Sequence, residues 1–348
     1  MSFYMMIMTT FSLMLGTLIT ISSSHWLMAW MGLEINTFAI IPLMTQKHRP
    51  RAMEATIKYF IVQTTAATLL LFASISNAWL TGQWDIQQTS HPLLLTLIII
   101  ALALKMGLAP LHAWLPEVLQ GLNLPTGLLL STWQKLAPFS LMYQISTSNM
   151  TLLIIFGLTS ILMGGWGGLN QTQLRKILGY SSVAHLGWMM LVILYKPTLA
   201  FLAFITYIIL TFSMFLVFFF TQSTTINSLS MASTKIPIIS AMTPLILLSL
   251  GGLPPLTGFL PKWLILSELT KQDMMITATT AALSALLSLY FYLRLSYSMT
   301  LITSPNNTPA TLPWRTLHTQ NTLPLTISTT MSLLLLPISP SALAFFFH

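Results

Sequence analysis

The feature that most constrains this chain is an apolar stretch, residues 93–121, that carries helix-breaking residues near its centre. As one straight helix these roughly 29 residues would be about 44 Å long, more than a hydrocarbon core of about 30 Å requires. Pro110 removes a backbone donor and clashes with the preceding turn, and Gly107 loosens that turn. The stretch therefore predicts one membrane span broken near residues 107–110. Broken backbone survives in a bilayer only where it is buried in protein or lines a wet cavity.

A second stretch repeats this pattern later in the chain. Residues 252–262, GLPPLTGFLPK, align without gaps with residues 107–117, GLAPLHAWLPE. Broken helices at corresponding positions of two halves are the best sequence indication of a transporter's ion path. The alternative is a pair of proline-kinked helices with no transport role. We favour the transport interpretation because a lysine lies close to each break, Lys105 before the first and Lys262 after the second.

The composition is that of a polytopic membrane protein. Of the 348 residues, 55% are hydrophobic and 6% are charged, whereas a soluble domain has about 25% charged residues. No separate soluble domain is expected. The net charge of +8 does not indicate nucleic acid, because the basic residues stand singly or in one short cluster. Cysteine is absent, so the chain offers no disulfide, thiolate metal site or Fe–S ligand.

Hydropathy predicts an all-α polytopic membrane protein with about eleven transmembrane helices. The fourth and ninth are broken. Because these two are five spans apart, an odd number, their surroundings are expected to have opposite orientations in the membrane. We predict one membrane domain made of two inverted five-helix repeats, residues 1–146 and 147–300, followed by a loop and a final helix, residues 301–348. The predicted spans are 3–21, 26–44, 55–80, 93–117, 126–145, 150–169, 177–195, 198–220, 238–267, 275–299 and 323–346.

The basic residues of the loops favour one face of this topology. The positive-inside rule then places the N-terminus on the inner side and the C-terminus outside. The other face receives Lys196 and Lys271. The basic residues on the inner face are Lys47, Arg49, Arg51, Lys58, Arg175, Lys176, Lys235 and Arg315.

Four ionisable residues are expected at membrane depth. Glu34, Lys105 and Lys135 fall near the middle of predicted spans, and Lys262 follows the second break. A charge at the bilayer centre costs at least about 2.5–3.5 kcal/mol on insertion scales. A structural ion pair could account for Glu34 with one lysine, but not for three lysines against one central acid. Burial favours the neutral form of a lysine, which allows it to carry protons.

Two histidines and a glycine run are open to more than one interpretation. His112 follows the first break and His185 lies at the centre of the seventh span, so each is a possible relay or an ordinary core histidine. Their spacing gives no metal motif.

Residues 164–168, GGWGG, close a membrane helix and follow no strand, so they predict close helix packing through Gly164 and Gly168 rather than a dinucleotide loop.

Most remaining charged residues are predicted at span ends. Glu54 and Lys58 have the spacing of an intrahelical ion pair. Arg294 lies about one turn from the end of the tenth span and can extend to the interface. Glu117 and Glu268 also fall near ends.

Several motifs together resemble the antiporter-like subunit family of NADH:ubiquinone oxidoreductase, respiratory complex I, over essentially the whole chain. They are WMGLEIN around Glu34, KMGLAPLHAWLPE from Lys105, LLLSTWQKLAP around Lys135, NQTQLRKILGYSS from Asn170 and GGLPPLTGFLPKW around Lys262. The resemblance implies that Glu34 pairs with Lys105, that Lys135 is the central relay and that Lys262 is the lysine of the second half. In the alignment of the two repeats, however, Lys105 faces Leu250 and Lys262 faces Glu117.

The same resemblance implies a proton-translocating membrane subunit that catalyses no redox step alone. NADH, FMN, Fe–S clusters and ubiquinone are then expected in other subunits of the electron-transport enzyme, with no cofactor or metal bound here. The expected partners are neighbouring antiporter-like and small membrane subunits, accessory subunits and lipids, in the mitochondrial inner membrane with a matrix N-terminus. Two alternatives stay open: a free-standing cation/proton antiporter, and a structural scaffold whose ion pairs only hold helices together.

Overall fold

The computed structural model describes residues 3–46, 49–89, 91–145, 150–234, 236–301 and 322–347. These residues are helical and connecting segments, with only isolated bridges between His25 and Asp85 and between Gln173 and Thr225. By length and composition, six of the described helices could each cross a membrane, and three shorter ones are apolar. The predicted all-helical, polytopic class is confirmed. The basic loop residues Lys47, Lys235 and Arg315 lie outside the described residues.

The chain divides into two compact units, Met1–Gly157 and Leu158–His348. The described helices of the first unit are α1 Phe3–Ser22, α2 Trp26–Met44, α3 Pro50–Thr81, α4 Pro92–Met106, α5 Trp114–Gly121, α6 Leu124–Ser131, α7 Trp133–Ile145 and the start of α8 Met150–Gly168. In this unit α1 packs on α2, α3 packs on α4 and α5, and α7 contacts α1 and α4.

The second unit contains the end of α8 and the remaining helices. Here α12 packs on α14 and α10, and α15 packs on both α10 and α12. The described helices are α9 Leu174–Val192, α10 Pro197–Thr221, α11 Ile226–Ser230, a 3-10 turn Met231–Thr234, α12 Pro237–Gly251, α13 Phe259–Lys271, α14 Met275–Thr300 and α15 Leu323–Phe347.

The first predicted break lies between α4 and α5. Helix α4 ends at Met106 because Gly107 has a φ of 78°, a left-handed conformation that only glycine adopts without cost. The N–H groups of Gly107 and Leu108 both donate to the carbonyl of Ala103, at 2.9 and 3.0 Å. These bonds satisfy a terminal helix carbonyl within an apolar environment, as a left-handed C-terminal cap does.

The second break repeats this cap. Helix α12 ends at Gly251, and Gly252 has a φ of 80°. The N–H groups of Gly252 and Leu253 donate to the carbonyl of Leu248, at 3.1 and 3.2 Å. The two predicted breaks are therefore confirmed, with the same backbone hydrogen bonds at equivalent positions.

A third break was not predicted. The expected span 126–145 is divided between α6 and α7 at Thr132. The backbone N–H and the Oγ1 hydroxyl of Thr132 both donate to the carbonyl of Leu128, at 3.0 and 2.8 Å. The next turn tightens, since the N–H of Lys135 donates to the carbonyl of Thr132. The helix therefore restarts immediately before Lys135.

The glycine run at the end of α8 packs against neighbouring helices, as predicted. A Cβ atom on Gly164 would lie 2.7 Å from the backbone nitrogen of Ala184 in α9. A Cβ atom on Gly168 would lie 2.8 Å from Cδ1 of Phe291 in α14. Hydrogen atoms at these two positions let the helices approach closely.

Arg294 has hydrogen-bond partners that the sequence did not predict. Its guanidinium donates from Nη1 to the carbonyl of Leu169 and from Nη2 to the carbonyl of Gln171. These carbonyls directly follow the C-terminal end of α8, where a cation satisfies unpaired acceptors. Arg294 therefore ties α14 to the end of α8.

Candidate proton-transfer site

Two of the predicted lysines line one small cavity in the first unit. Lys105 and Lys135 lie on its wall together with Tyr59, Gln63 and Gln134. The cavity has room for roughly one water molecule. The first break and the unpredicted break at Thr132 each lie within a few residues, along the chain, of side chains that line this cavity. A wet space beside broken backbone is what the sequence pattern predicts.

Lys105 occupies the last turn of α4 and is only 7% exposed. Its Nζ atom makes no hydrogen bond to any part of the chain that the structure describes. Gln63 holds the backbone at this point, because its Nε2 donates to the carbonyl of Lys105 at 3.4 Å. An ammonium group has three donors and no acceptor, so the charged form of Lys105 requires an acceptor that can enter the cavity.

Lys135 lies in the first turn of α7 and is 2% exposed. The break at Thr132 places a new helix start just before it, so the lysine is held by short-range turn geometry instead of a continuous helix. The lysine expected as the central relay is thus buried on the same cavity as Lys105.

Glu34 lies on α2 and is half-buried. Its Oε2 accepts a hydrogen bond from Oγ1 of Thr37 at 3.1 Å. Among the described residues, no basic nitrogen lies within 4.0 Å of its carboxylate. Glu34 does interact electrostatically with Lys105 and with Tyr59. The expected pair with Lys105 is therefore an interaction through space and not a direct ion pair in this structure.

Lys262 belongs to the second unit and lies in the first turn of α13. Its Nζ donates to the carbonyl of Gly251 at 2.7 Å, across the break, at the C-terminal end of α12. Gly252 makes room for it: a Cβ atom there would lie 2.8 Å from Cδ and 2.9 Å from Nζ of Lys262. The lysine is half-buried in this chain.

The two histidines occupy different environments. His112 is buried within the first break and interacts with the backbone of Pro110, and it is not part of the cavity wall formed by the described residues. His185 lies in α9, with its ring centroid 5.6 Å from that of the buried Tyr207. No sequence pattern indicates Tyr207, because it contacts His185 only through the packing of α10 against α9.

The charged residues predicted at span ends form two ion-pair groups. In the first unit, Nζ of Lys58 lies 2.8 Å from Glu54 and 2.9 Å from Glu117, and the side chain of Glu117 is 53% exposed. In the second, Nζ of Lys196 lies 3.0 Å from Glu268, whose side chain is only 6% exposed. Nζ of Lys271, three residues further along α13, lies 3.8 Å from the same carboxylate. The pairing of Glu268 with Lys196 could not be predicted, because Lys196 lies on a distant segment of the chain.

Helices broken at matched positions, each with a buried or half-buried lysine at the break, define an ion-translocating membrane domain of the antiporter type. A family model described as NADH:quinone oxidoreductase/Mrp antiporter, TM, matches residues 23–288. A second, described as NADH dehydrogenase subunit 2 C-terminus, matches residues 289–343. The chain belongs to the NADH-ubiquinone oxidoreductase chain 2 family.

Individual relatives agree with this assignment. The chain is 64% identical to NADH-ubiquinone oxidoreductase chain 2 of Tetraodon nigroviridis, over 99% of both chains. It is 62% identical to that of Salmo salar, over 97% of both chains.

Solved structures share the fold. A chain of respiratory complex I from Thermus thermophilus, with bound aureothin, matches with a TM-score of 0.76 and 26% identity, over 92% of this chain and 77% of that one. A chain of the Mrp complex from Dietzia matches with a TM-score of 0.79 and 16% identity, over 95% of this chain and 74% of that one. The second match concerns the fold alone.

Proposed function

We propose that this chain carries protons through the membrane arm of the proton-pumping NADH:ubiquinone oxidoreductase, with Glu34, Lys105, Lys135 and Lys262 as its relay residues. The chain is a multi-pass subunit of that enzyme, and its similarity to the vertebrate relatives supports a location in the mitochondrial inner membrane. The observation that carries the proposal is the cavity shared by Lys105 and Lys135, which has room for about one water molecule.

The proton step follows from the chemistry of two buried amines. A protonated lysine gives its proton to a water in the cavity, and that water gives a proton to the neutral amine of the second lysine. One ammonium is lost and one is formed, so charge moves while the number of protons is unchanged. A carboxylate near a buried lysine favours the charged form of that lysine, whereas burial favours the neutral form, so Glu34 is proposed to oppose the effect of burial on Lys105.

Lys262 is proposed as the corresponding carrier in the second unit. Its hydrogen bond to the carbonyl of Gly251 supports this role, because the broken helix supplies an acceptor for the ammonium form. His112 and His185 are proposed as further relay positions. His112 lies in the first break, and His185 lies beside the buried hydroxyl-bearing Tyr207.

The redox chemistry is proposed to occur in other subunits. The described residues contain no group of three or more His, Cys, Asp or Glu side chains that could hold a metal, and the sequence has no cysteine. NADH, FMN, Fe–S clusters and ubiquinone would then bind elsewhere in the enzyme. Neighbouring antiporter-like and small membrane subunits, accessory subunits and lipids would cover the exposed apolar faces of this chain.

We further propose eleven spans in two inverted repeats, residues 1–146 and 147–300, with the N-terminus in the matrix and the C-terminus in the intermembrane space. The matched caps of α4 and α12 support the repeat, and the basic loops support the orientation. We expect reagents that label only the outer, matrix-facing side of sealed inverted membranes to modify residues 170–176 and to spare residues 146–149. The opposite labelling would reverse the proposed topology.

Glu34→Gln is expected to impair proton pumping more than Glu34→Asp, because only the glutamine removes the charge that favours protonated Lys105. The measurement is proton uptake and NADH oxidation in the same vesicles, per assembled complex. Glu117→Gln is the matched control, since Glu117 is exposed and paired with Lys58 outside the cavity. Equal defects in the two glutamine variants would remove the special role of Glu34.

The same assay separates the proposed function from a free-standing cation/proton antiporter. An antiporter would show proton flux that depends on Na⁺ or K⁺ and is independent of NADH oxidation. A subunit of the redox enzyme is expected to co-purify in mild detergent with many other chains and with NADH oxidation activity.

A further inference from the structure

Two glutamines share the cavity with the lysines, and the function described so far does not use them. Gln63 lies on α3 and Gln134 on α7, and both side chains form part of the cavity wall with Lys105 and Lys135. Gln63 is buried and Gln134 is half-buried. Neither side chain is ionisable, so the charge pattern of the sequence does not indicate them.

Each glutamine is held by the nitrogen end of its amide. The Nε2 of Gln63 donates to the backbone carbonyl of Lys105 at 3.4 Å, and the Nε2 of Gln134 donates to the backbone carbonyl of Asn36 at 2.9 Å. An amide has donors only on nitrogen and acceptors only on oxygen. With the nitrogen fixed on a carbonyl, the Oε1 atom is the acceptor that remains. Within the part of the chain that the structure describes, neither Oε1 receives a hydrogen bond.

The cavity supplies the matching donors. The ammonium of Lys105 is buried and has no hydrogen-bond partner among the described residues. A buried donor without an acceptor is costly. One water in the cavity can accept from a lysine and donate to an amide oxygen at the same time.

We propose that Gln63 and Gln134 are positioning residues whose amide oxygens hold and orient the water between Lys105 and Lys135. In each direction of transfer one of the two amide oxygens accepts one O–H of that water, which leaves a lone pair for the protonated lysine and the second O–H for the neutral amine of the other lysine. The fixed nitrogen ends keep the amides from rotating to offer donors instead. This inference rests on the proposed proton relay and adds the groups that orient its water.

The test replaces each glutamine with methionine, which keeps the length of the side chain and removes both polar ends. In vesicles containing the assembled enzyme, we expect Gln63→Met and Gln134→Met to lower NADH-driven proton uptake by roughly tenfold, as loss of a hydrogen bond in a charged network does. The solvent deuterium isotope effect on NADH oxidation should rise, because proton transfer becomes rate-limiting. The KM for quinone should stay unchanged, since quinone is proposed to bind in another subunit.

Asn77→Leu is the matched control. Asn77 is a fully buried amide on α3, the helix that carries Gln63, and it is not part of the cavity wall. Its replacement should leave the rate and the isotope effect at their normal values. A similar loss in Asn77→Leu would show that any buried amide on this helix matters, and would overturn the inference.

Asparagine variants keep the test decisive if the methionine variants fail to assemble. Gln63→Asn and Gln134→Asn retain the amide but are one methylene too short to hold both the carbonyl and the water, so the isotope effect should again rise. Suppose that Lys135→Met blocks pumping but the assembled glutamine variants show normal rates and isotope effects. That result would overturn this inference and leave the proposed function intact. If Lys135→Met also pumps normally, the proposed function itself fails.

Discussion

Lys135→Met is expected to lower both NADH oxidation and proton uptake of the assembled enzyme by roughly tenfold or more, the usual range for loss of a proton-transferring group. Methionine keeps the apolar stem of this 2% exposed side chain, so packing should be preserved while the titrating amine is lost. Both activities should fall together, because a tightly coupled enzyme cannot turn over when its proton relay is blocked. The two rates are measured in the same vesicles and normalised to assembled complex.

Lys135→Arg distinguishes the classes of function. Arginine keeps the positive charge but does not deprotonate in proteins, so a relay should fail with arginine as it does with methionine. In a scaffold, arginine would restore function and methionine would reduce assembly instead of turnover. In an antiporter, NADH oxidation would be unaffected by either change. Full activity of Lys135→Arg would end the assignment of this residue as a relay.

Gly252→Ala is expected to disrupt the second break and to reduce proton uptake several-fold. The left-handed φ of 80° costs an alanine about 1–2 kcal/mol. The added Cβ would also lie 2.9 Å from Nζ of Lys262, so the lysine would have to leave the carbonyl of Gly251. We expect less assembled complex and a lower rate per assembled complex, measured by native gel and by proton uptake.

Gly82→Ala provides the matched control for this variant. Gly82 also has a left-handed φ, 71°, but a Cβ atom there would meet nothing within 4 Å. Both variants therefore have the cost of a left-handed alanine, but only Gly252→Ala introduces a close contact with Lys262. If Gly82→Ala and Gly252→Ala reduce the rate per assembled complex equally, the position of Lys262 does not depend on Gly252.

The sequence predicted two helix breaks because glycine and proline carry their backbone preferences wherever they occur. The left-handed caps at Gly107 and Gly252 are local, and so they can be recognised in a short stretch of sequence. The break at Thr132 contains neither residue type. It depends on a threonine hydroxyl that bonds to the carbonyl of Leu128, and threonines in other helices make the same bond without a break.

The candidate site was predicted only in its charged residues. Lysines at membrane depth are costly and therefore conspicuous in any hydropathy profile. The glutamines of the cavity act through partners that are 42 and 98 residues away in the chain. Their role depends on helix packing, which a sequence pattern does not provide. The same reason explains why the bonds made by Arg294 and the burial of Glu268 were not foreseen.

Lys105 and Lys262 do not align with each other in the two repeats, yet both are associated with the same part of the broken helix. Lys105 belongs to the last turn of α4, whereas Lys262 belongs to α13 but donates from Nζ to the carbonyl of Gly251, the last residue of α12. Each lysine is thus associated with the C-terminal end of the first half-helix, Lys105 by its place in the last turn and Lys262 by its hydrogen bond. That end carries the negative end of the helix dipole. A cation there stabilises the helix terminus, and a neutral amine does not. If these lysines act as the proposed relay, we expect loss of a proton from either one to weaken the adjoining helix end, which links proton occupancy to the conformation of each break.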